Sequence, residues 1–162
     1  MTTGGKKSFG EVKFCLVFPC ETLSVPVMRR VLGDTLRRLG VDEESVYDIL
    51  LAATEACTNV LRHGGGPVNG YAVVTSLGAV GCQVEVADEG TGAAGSPRGA
   101  AAPGPELPAA QLPESGRGLA VMRAFVDNVT LDSRPGRGTV VTMRKHISWP
   151  ADAPLRRYRA AS

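Results

Sequence analysis

The sequence predicts an α+β fold, a two-layer sandwich with helices covering one face of a mainly antiparallel sheet. Three observations predict it. Strand and helix periodicities follow one another as β-α-α-β-β-loop-α-β-β, and four of the five strand signals come in hairpins. Two long amphipathic helices lie side by side in sequence, over residues 24–39 and 42–63. The length of 162 residues, with 43% hydrophobic and 21% charged residues, suits one compact domain.

The first strand is read over residues 12–18. Val12, Phe14, Leu16 and Phe18 alternate with Lys13 and Cys15 in the period-2 pattern of a half-buried strand, and Pro19 closes it. Ser24, two residues before Pro26, marks the start of a helix that Gly40 stops. Its expected apolar face is Val27, Val31 and Leu39 with Met28, Leu32 and Leu36. Arg29, Arg30, Arg37 and Arg38 occupy the other face, either as a solvated surface or as a docking surface for a partner protein.

Asp42 caps the second helix, and Glu43 and Glu44 favour the positive end of its dipole. Val46, Ile49, Leu50, Ala53, Cys57, Val60 and Leu61 keep helical spacing until Gly64-Gly65-Gly66-Pro67 ends it. A hairpin follows, with strands over residues 70–77 and from Cys82 onward and a turn at 78–81. Cys82, Val84, Val86 and Asp88 share one face of its second strand, so Asp88 is an acid at the tip of an apolar row, directly before Glu89-Gly90-Thr91-Gly92.

Residues 93–113 are dominated by Ala, Gly and Pro and form no regular packed element; with the residues up to 115 they are read as a functional surface loop, a lid. Ser115-Gly116-Arg117-Gly118-Leu119 opens a third helix whose buried face is Leu119, Met122, Phe125, Val126 and Val129. A last hairpin runs over residues 129–133 and 139–147 around Pro135-Gly136. Residues 1–11 are expected to be a flexible N-terminus and 149–162 a tail, which leaves 12–148 as the domain.

Composition excludes several classes. A formal charge of +2 is too small to argue for nucleic acid or an anionic membrane. The first ten residues lack the apolar stretch of a signal peptide and no run approaches a membrane span, which points to the cytoplasm. Cys15, Cys20, Cys57 and Cys82 show neither a CxxC pairing nor a histidine at zinc spacing, so reduced, mostly buried thiols are expected.

The chemistry gathers on the second helix. Glu55, Asn59 and His63 are four residues apart, so each advances only about 40° around the axis and the three form one polar line. Glycine turns at residues 90–92 and 116–118 and the Gly138-Thr139 pair stand at the edges of predicted elements, where backbone N–H groups can approach a phosphate. An Asn carboxamide oxygen suits Mg²⁺, and a carboxylate one turn earlier can orient or deprotonate an attacking hydroxyl. Asp88 can accept a hydrogen bond from an exocyclic amino group such as adenine's. Taken singly, the same residues read as a solvated helix face, a helix-end histidine, ordinary turns and a β-branched strand residue.

Their order is what distinguishes them. "EACTNVLRHG", "VADEGTG", "SGRGLAVM" and "GRGTVVTMRKHI" resemble the N box, the two glycine boxes and the closing Gly-Thr of the GHKL (Bergerat) ATP-binding fold, in a spelling similar to the anti-sigma-factor serine kinases of the SpoIIAB and RsbW type. The resemblance spans residues 14–147. It implies ATP and Mg²⁺ as cofactors, Glu55 as general base and Asn59 as the Mg²⁺ ligand. It further implies Asp88 on the adenine amino group, Gly90 and Gly92 shaping the pocket, Gly116, Arg117, Gly118 and Leu119 on the phosphates, and Thr139 assisting at the adenine end. The implied protein is a homodimeric kinase that sequesters a sigma factor and phosphorylates a STAS-type anti-anti-sigma antagonist on serine. Glu114 stands where relatives can carry a basic residue before the serine of the second glycine box, an acid beside the γ-phosphate. That keeps an alternative open: a module of the same fold that binds ATP and partners without phosphotransfer.

Overall fold

A computed structural model describes residues 10–63, 70–88, 116–134 and 138–157. Its elements are β1 (Val12–Phe18), α1 (Ser24–Arg38), α2 (Glu43–His63), β2 (Tyr71–Leu77), β3 (Gly81–Asp88), α3 (Gly116–Phe125), β4 (Asn128–Arg134) and β5 (Gly138–His146). The strands form one 5-stranded sheet in the order β1-β2-β3-β5-β4, with every neighbouring pair antiparallel. The predicted two-layer α+β architecture is the one observed.

Register follows from alternation. Phe14, Thr75, Val84, Met143 and Val129 form one row across the five strands, and Leu16, Val73, Val86, Val141 and Leu131 form the next. Both rows face the helices, because a period-2 pattern puts all of a strand's apolar side chains on one side. Against them pack Met28, Leu32 and Leu36 of α1, Val46, Ile49, Ala52, Ala53, Ala56, Cys57 and Val60 of α2, and Leu119 and Met122 of α3. The Asp42 cap is present: its Oδ1 accepts from the Ser45 N–H at 2.8 Å. Gly40 ends α1 at φ +94°, a conformation that costs glycine nothing.

Two expectations need correcting. Val27 and Val31 are exposed, because α1 buries the Met28-Leu32-Leu36 line and these two lie a step around from it. Arg29 is not on a solvated face; its guanidinium donates to Thr54 Oγ1 at 2.6 Å and to the Leu50 carbonyl at 3.3 Å on α2. Ser24 starts α1 as expected: its hydroxyl donates to the Glu21 carbonyl at 2.6 Å and meets the Tyr71 hydroxyl at 2.7 Å.

The segment after β5 is also more than a tail as far as Arg157. Ile147, Trp149, Ala153 and Leu155 are buried. Trp149 Nε1 donates to the Gly78 carbonyl at 3.0 Å, and the Leu155 N–H to the Leu39 carbonyl at 3.2 Å. This stretch has no periodicity to advertise it, only scattered apolar residues that fill the end of the core. Residues 1–9, the glycine stop at 64–67, the lid and the Pro135-Gly136 turn lie outside the described residues.

Lys145 ties the layers together: its ammonium pairs with Asp48 of α2 at 2.8 Å and donates to the Phe125 carbonyl at the end of α3 at 3.0 Å. Elsewhere the core contains one discord, the Thr75 hydroxyl, buried with no hydrogen-bond partner among the described residues. Thr75→Val keeps the shape and removes the unpaired group, so it should raise the free energy of unfolding by about 1–2 kcal/mol in urea melts. No gain would show that the hydroxyl is satisfied in solution.

Burial also sets the alkaline limit of the fold. It pushes the Cys57 and Cys82 thiols from 9.0, and the Tyr71 phenol from 10.0, up to about 12. All three are held neutral in the folded chain and ionise sooner in the unfolded one. Their contribution is therefore complete below about pH 9 and is lost as pH climbs from 9 towards 12. Melting temperature against pH should fall across that window, and Cys82→Ala should shift the fall upward.

Candidate functional site

The two ends of α2 are pinned to opposite ends of the sheet. Near its start, Asp48 holds Lys145 late in β5. Near its finish, the Cys57 thiol lies beside the hydroxyl of Tyr71, the first residue of β2. The turn that carries Asn59 therefore sits at the sheet end formed by Phe18, Tyr71 and Asp88, which are aligned across β1, β2 and β3. Gly138 and Thr139 begin β5 at that same end.

Asp88 closes the apolar face of β3 as the alternation predicted. Its Oδ1 accepts a 2.7 Å hydrogen bond from the backbone N–H of Thr139, which continues the β3–β5 pairing by one step through a side chain. Oδ2 has no hydrogen-bond partner among the described residues. The Thr139 hydroxyl is instead engaged with Ser133 Oγ at 3.0 Å.

On the helix side, Asn59 faces the start of α3. A Cβ built on Gly118 would stand 3.0 Å from Asn59 Nδ2 and 3.3 Å from Oδ1, so the glycine is what lets the two helices meet at the carboxamide. Glu55 lies one turn back, half-exposed, with no polar partner among the described residues. Arg117 is exposed in the first turn of α3, and that turn contains no acid. Leu119 is buried in the core, so only its backbone can face a ligand.

The predicted residues thus fall into two pairs, Asn59 with Gly118 and Asp88 with Thr139, plus Glu55 beside the first. Gly90 and Gly92 lie outside the described residues, and His63 ends α2 as expected. Two neighbours carry no signal of a site in the sequence. Tyr71, hydrogen-bonded to Ser24 and beside Cys57, has the pattern of a strand residue alone. Cys20 has that of an inert thiol, yet burial first and the Asp88 carboxylate second raise its pKa. Gly138 is expected beside Thr139, but nothing in the sequence gives its φ of +81°.

Among the described residues no three His, Cys, Asp or Glu side chains cluster to hold a metal. A cation beside Asn59 would therefore take most of its ligands from phosphate oxygens and water. Mg²⁺ fits such a donor set: it retains waters and accepts one neutral carboxamide oxygen.

Residues 18–145 match the family described as the histidine kinase-like ATPase domain. The chain belongs to that family. Within it, this ATPase-domain protein is 34% identical over 142 residues to the anti-sigma F factor of Clostridium acetobutylicum, covering 85% of this chain and 96% of that one. It is 30% identical over 135 residues to the serine-protein kinase RsbW of Bacillus velezensis, covering 80% and 82%. The crystal structure of the RsbU and RsbW domains of a Mycobacterium tuberculosis protein superposes with a TM-score of 0.65 at 22% identity. That match covers 86% of this chain and 33% of the longer one, and shows the shared fold. The resemblance carried by the four boxes is borne out, and ATP is the nucleotide that goes with the family.

Gly118→Ala tests the α2–α3 contact directly. The added methyl should displace the Asn59 carboxamide and cost about 1–3 kcal/mol of stability, read by denaturant unfolding together with the side-chain amide signals of Asn59. Unmoved amide signals would contradict the contact.

Proposed function

We propose that this protein is an ATP-dependent serine/threonine kinase and anti-sigma factor that phosphorylates a STAS-type antagonist of its own inhibition. The observation that carries the proposal is the placement of Glu55 and Asn59 on consecutive turns of α2, with α3 opening against the Asn59 carboxamide. Relatives described as an anti-sigma F factor and as a serine-protein kinase support both halves of the reading.

Each residue has a chemical task in it. Asn59 would hold Mg²⁺ through its carboxamide oxygen; when bound, that ion neutralises phosphate charge. Glu55, a half-exposed carboxylate one turn away, orients the substrate serine hydroxyl and accepts its proton. The N-terminal peptides of α3, from Gly116 to Leu119, and exposed Arg117 offer N–H groups and a positive charge to the phosphates. Asp88 reads the adenine amino group, and Gly90 and Gly92 shape the pocket beside it.

A cytoplasmic partner protein fits the outer surface. No described helix is long and apolar enough to cross a membrane. Leu23, Val27 and Val31 leave an apolar stripe exposed along α1, with Arg30 beside it, which suits a sigma factor, the antagonist or a second copy of the chain. The acid at Glu114, before the second glycine box, favours the alternative reading of a nucleotide-dependent binding module without phosphotransfer.

Incubation with a cognate STAS partner and γ-labelled ATP separates the readings. The kinase should label a serine. Glu55→Gln should reduce the rate by about 100-fold or more, the range for a lost general base, while Mg·ATP binding by calorimetry is retained. Asn59→Ala should abolish the Mg²⁺ dependence of binding. Nucleotide uptake without any transfer would leave the binding module standing.

A further inference from the structure

Asp88 does not hang free at the end of β3; the first peptide of β5 holds it. That peptide comes close because Gly138 has no side chain. A Cβ at Gly138 would overlap Asp88 Oδ1 and stand 3.0 Å from the Asp88 carbonyl oxygen. The backbone there also adopts φ +81°, which turns the following N–H, that of Thr139, onto Oδ1 at 2.7 Å.

We propose that Gly138 is the positioning residue for base recognition: it lets the β5 backbone close on the Asp88 carboxylate, commits Oδ1 to the Thr139 N–H, and leaves Oδ2 as the one acceptor for the adenine amino group. This rests on the reading above in which Asp88 meets the base. An unanchored carboxylate would have to give up rotamer freedom on binding, whereas one already hydrogen-bonded does not. The anchoring makes the discrimination sharp. A purine with a carbonyl in place of the amino group presents an acceptor to a fixed anion and leaves it unpaired. Thr139 meets Asp88 through its backbone N–H, while its hydroxyl contacts Ser133.

The test compares the unsubstituted chain with Gly138→Ala and Gly138→Asn. Asparagine tolerates a positive φ far better than alanine, so Gly138→Asn adds the Cβ without most of the backbone strain. Mg·ATP and Mg·ITP binding are measured by calorimetry, and hydrogen exchange of the Thr139 amide is followed by NMR.

The unsubstituted chain should prefer ATP over ITP by about 10- to 100-fold, the value of one hydrogen bond to a charged group. Both Gly138 variants should lose the preference by weakening ATP alone. The residue-139 amide should be protected from exchange in the unsubstituted chain, where Asp88 accepts from it, and lose that protection in the Gly138 variants. A preference retained in folded Gly138→Asn overturns the proposal, as does an equal loss for both nucleotides. A Thr139 amide that exchanges freely in the unsubstituted chain overturns it without needing any variant to fold. Should the amide be protected while ATP and ITP bind alike, or neither bind, the failure lies in the reading of Asp88 as the base contact, and the proposal falls with it.

Discussion

Helix α2 serves the core and carries the candidate site at once, and the rest of the molecule is arranged around that constraint. It touches α1, α3, β3 and β5. Four of its inward positions, Ala52, Ala53, Ala56 and Cys57, are small and fully buried. Small residues let a helix settle onto a sheet without bulky knobs that would tilt it. A helix so seated has little freedom to roll, and its lateral residues inherit that fixity. Glu55 and Asn59 are lateral residues of this kind, one and two positions from the buried line. Their geometry is thus a by-product of packing rather than of any polar network built for them.

The sheet supplies the complementary half. Alternation brings Asp88 to the helix-facing side at the very row where β2 begins with Tyr71. Phe18 packs against Tyr71 with ring centroids 5.6 Å apart, and Tyr71 reaches both the start of α1 through Ser24 and the last third of α2 through Cys57. One phenol therefore links both layers beneath the candidate site. At the far end, Lys145 performs a similar linkage with Asp48 and the carboxyl terminus of α3, where a cation also complements the helix dipole.

Much of this was legible because period and punctuation agreed. The alternation of Val12 to Phe18, the Asp42 cap, and Asp88 as the terminal member of an apolar row all survive in the structure, since each is a local consequence of residue order. What the sequence could not convey was rotation and long-range closure. Val27 and Val31 are as apolar as Met28 and Leu32, and only the sheet's position decides which line turns inward. Arg29 is drawn to a carbonyl and a hydroxyl 21 and 25 residues away. The contribution of Trp149 and Leu155 depends on a groove created by the β2–β3 turn and the end of α1, elements far earlier in the chain. In the candidate site the side-chain types were readable, whereas the two glycines that seat them matter through missing atoms.

The stretch from Ile147 to Arg157 deserves to be counted in the folding unit for a practical reason. Gly40 leaves room for Pro154 and Ala153, a Cβ there standing within 3.2 Å of the alanine's own. The chain's last described residues and the α1–α2 junction are thus two halves of one joint. A boundary drawn where the last strand stops would remove Trp149 from over the β-turn and uncover the hydrophobic end beneath. Shortened versions designed on strand limits alone would then tend to self-associate, for want of a lid they had been carrying all along.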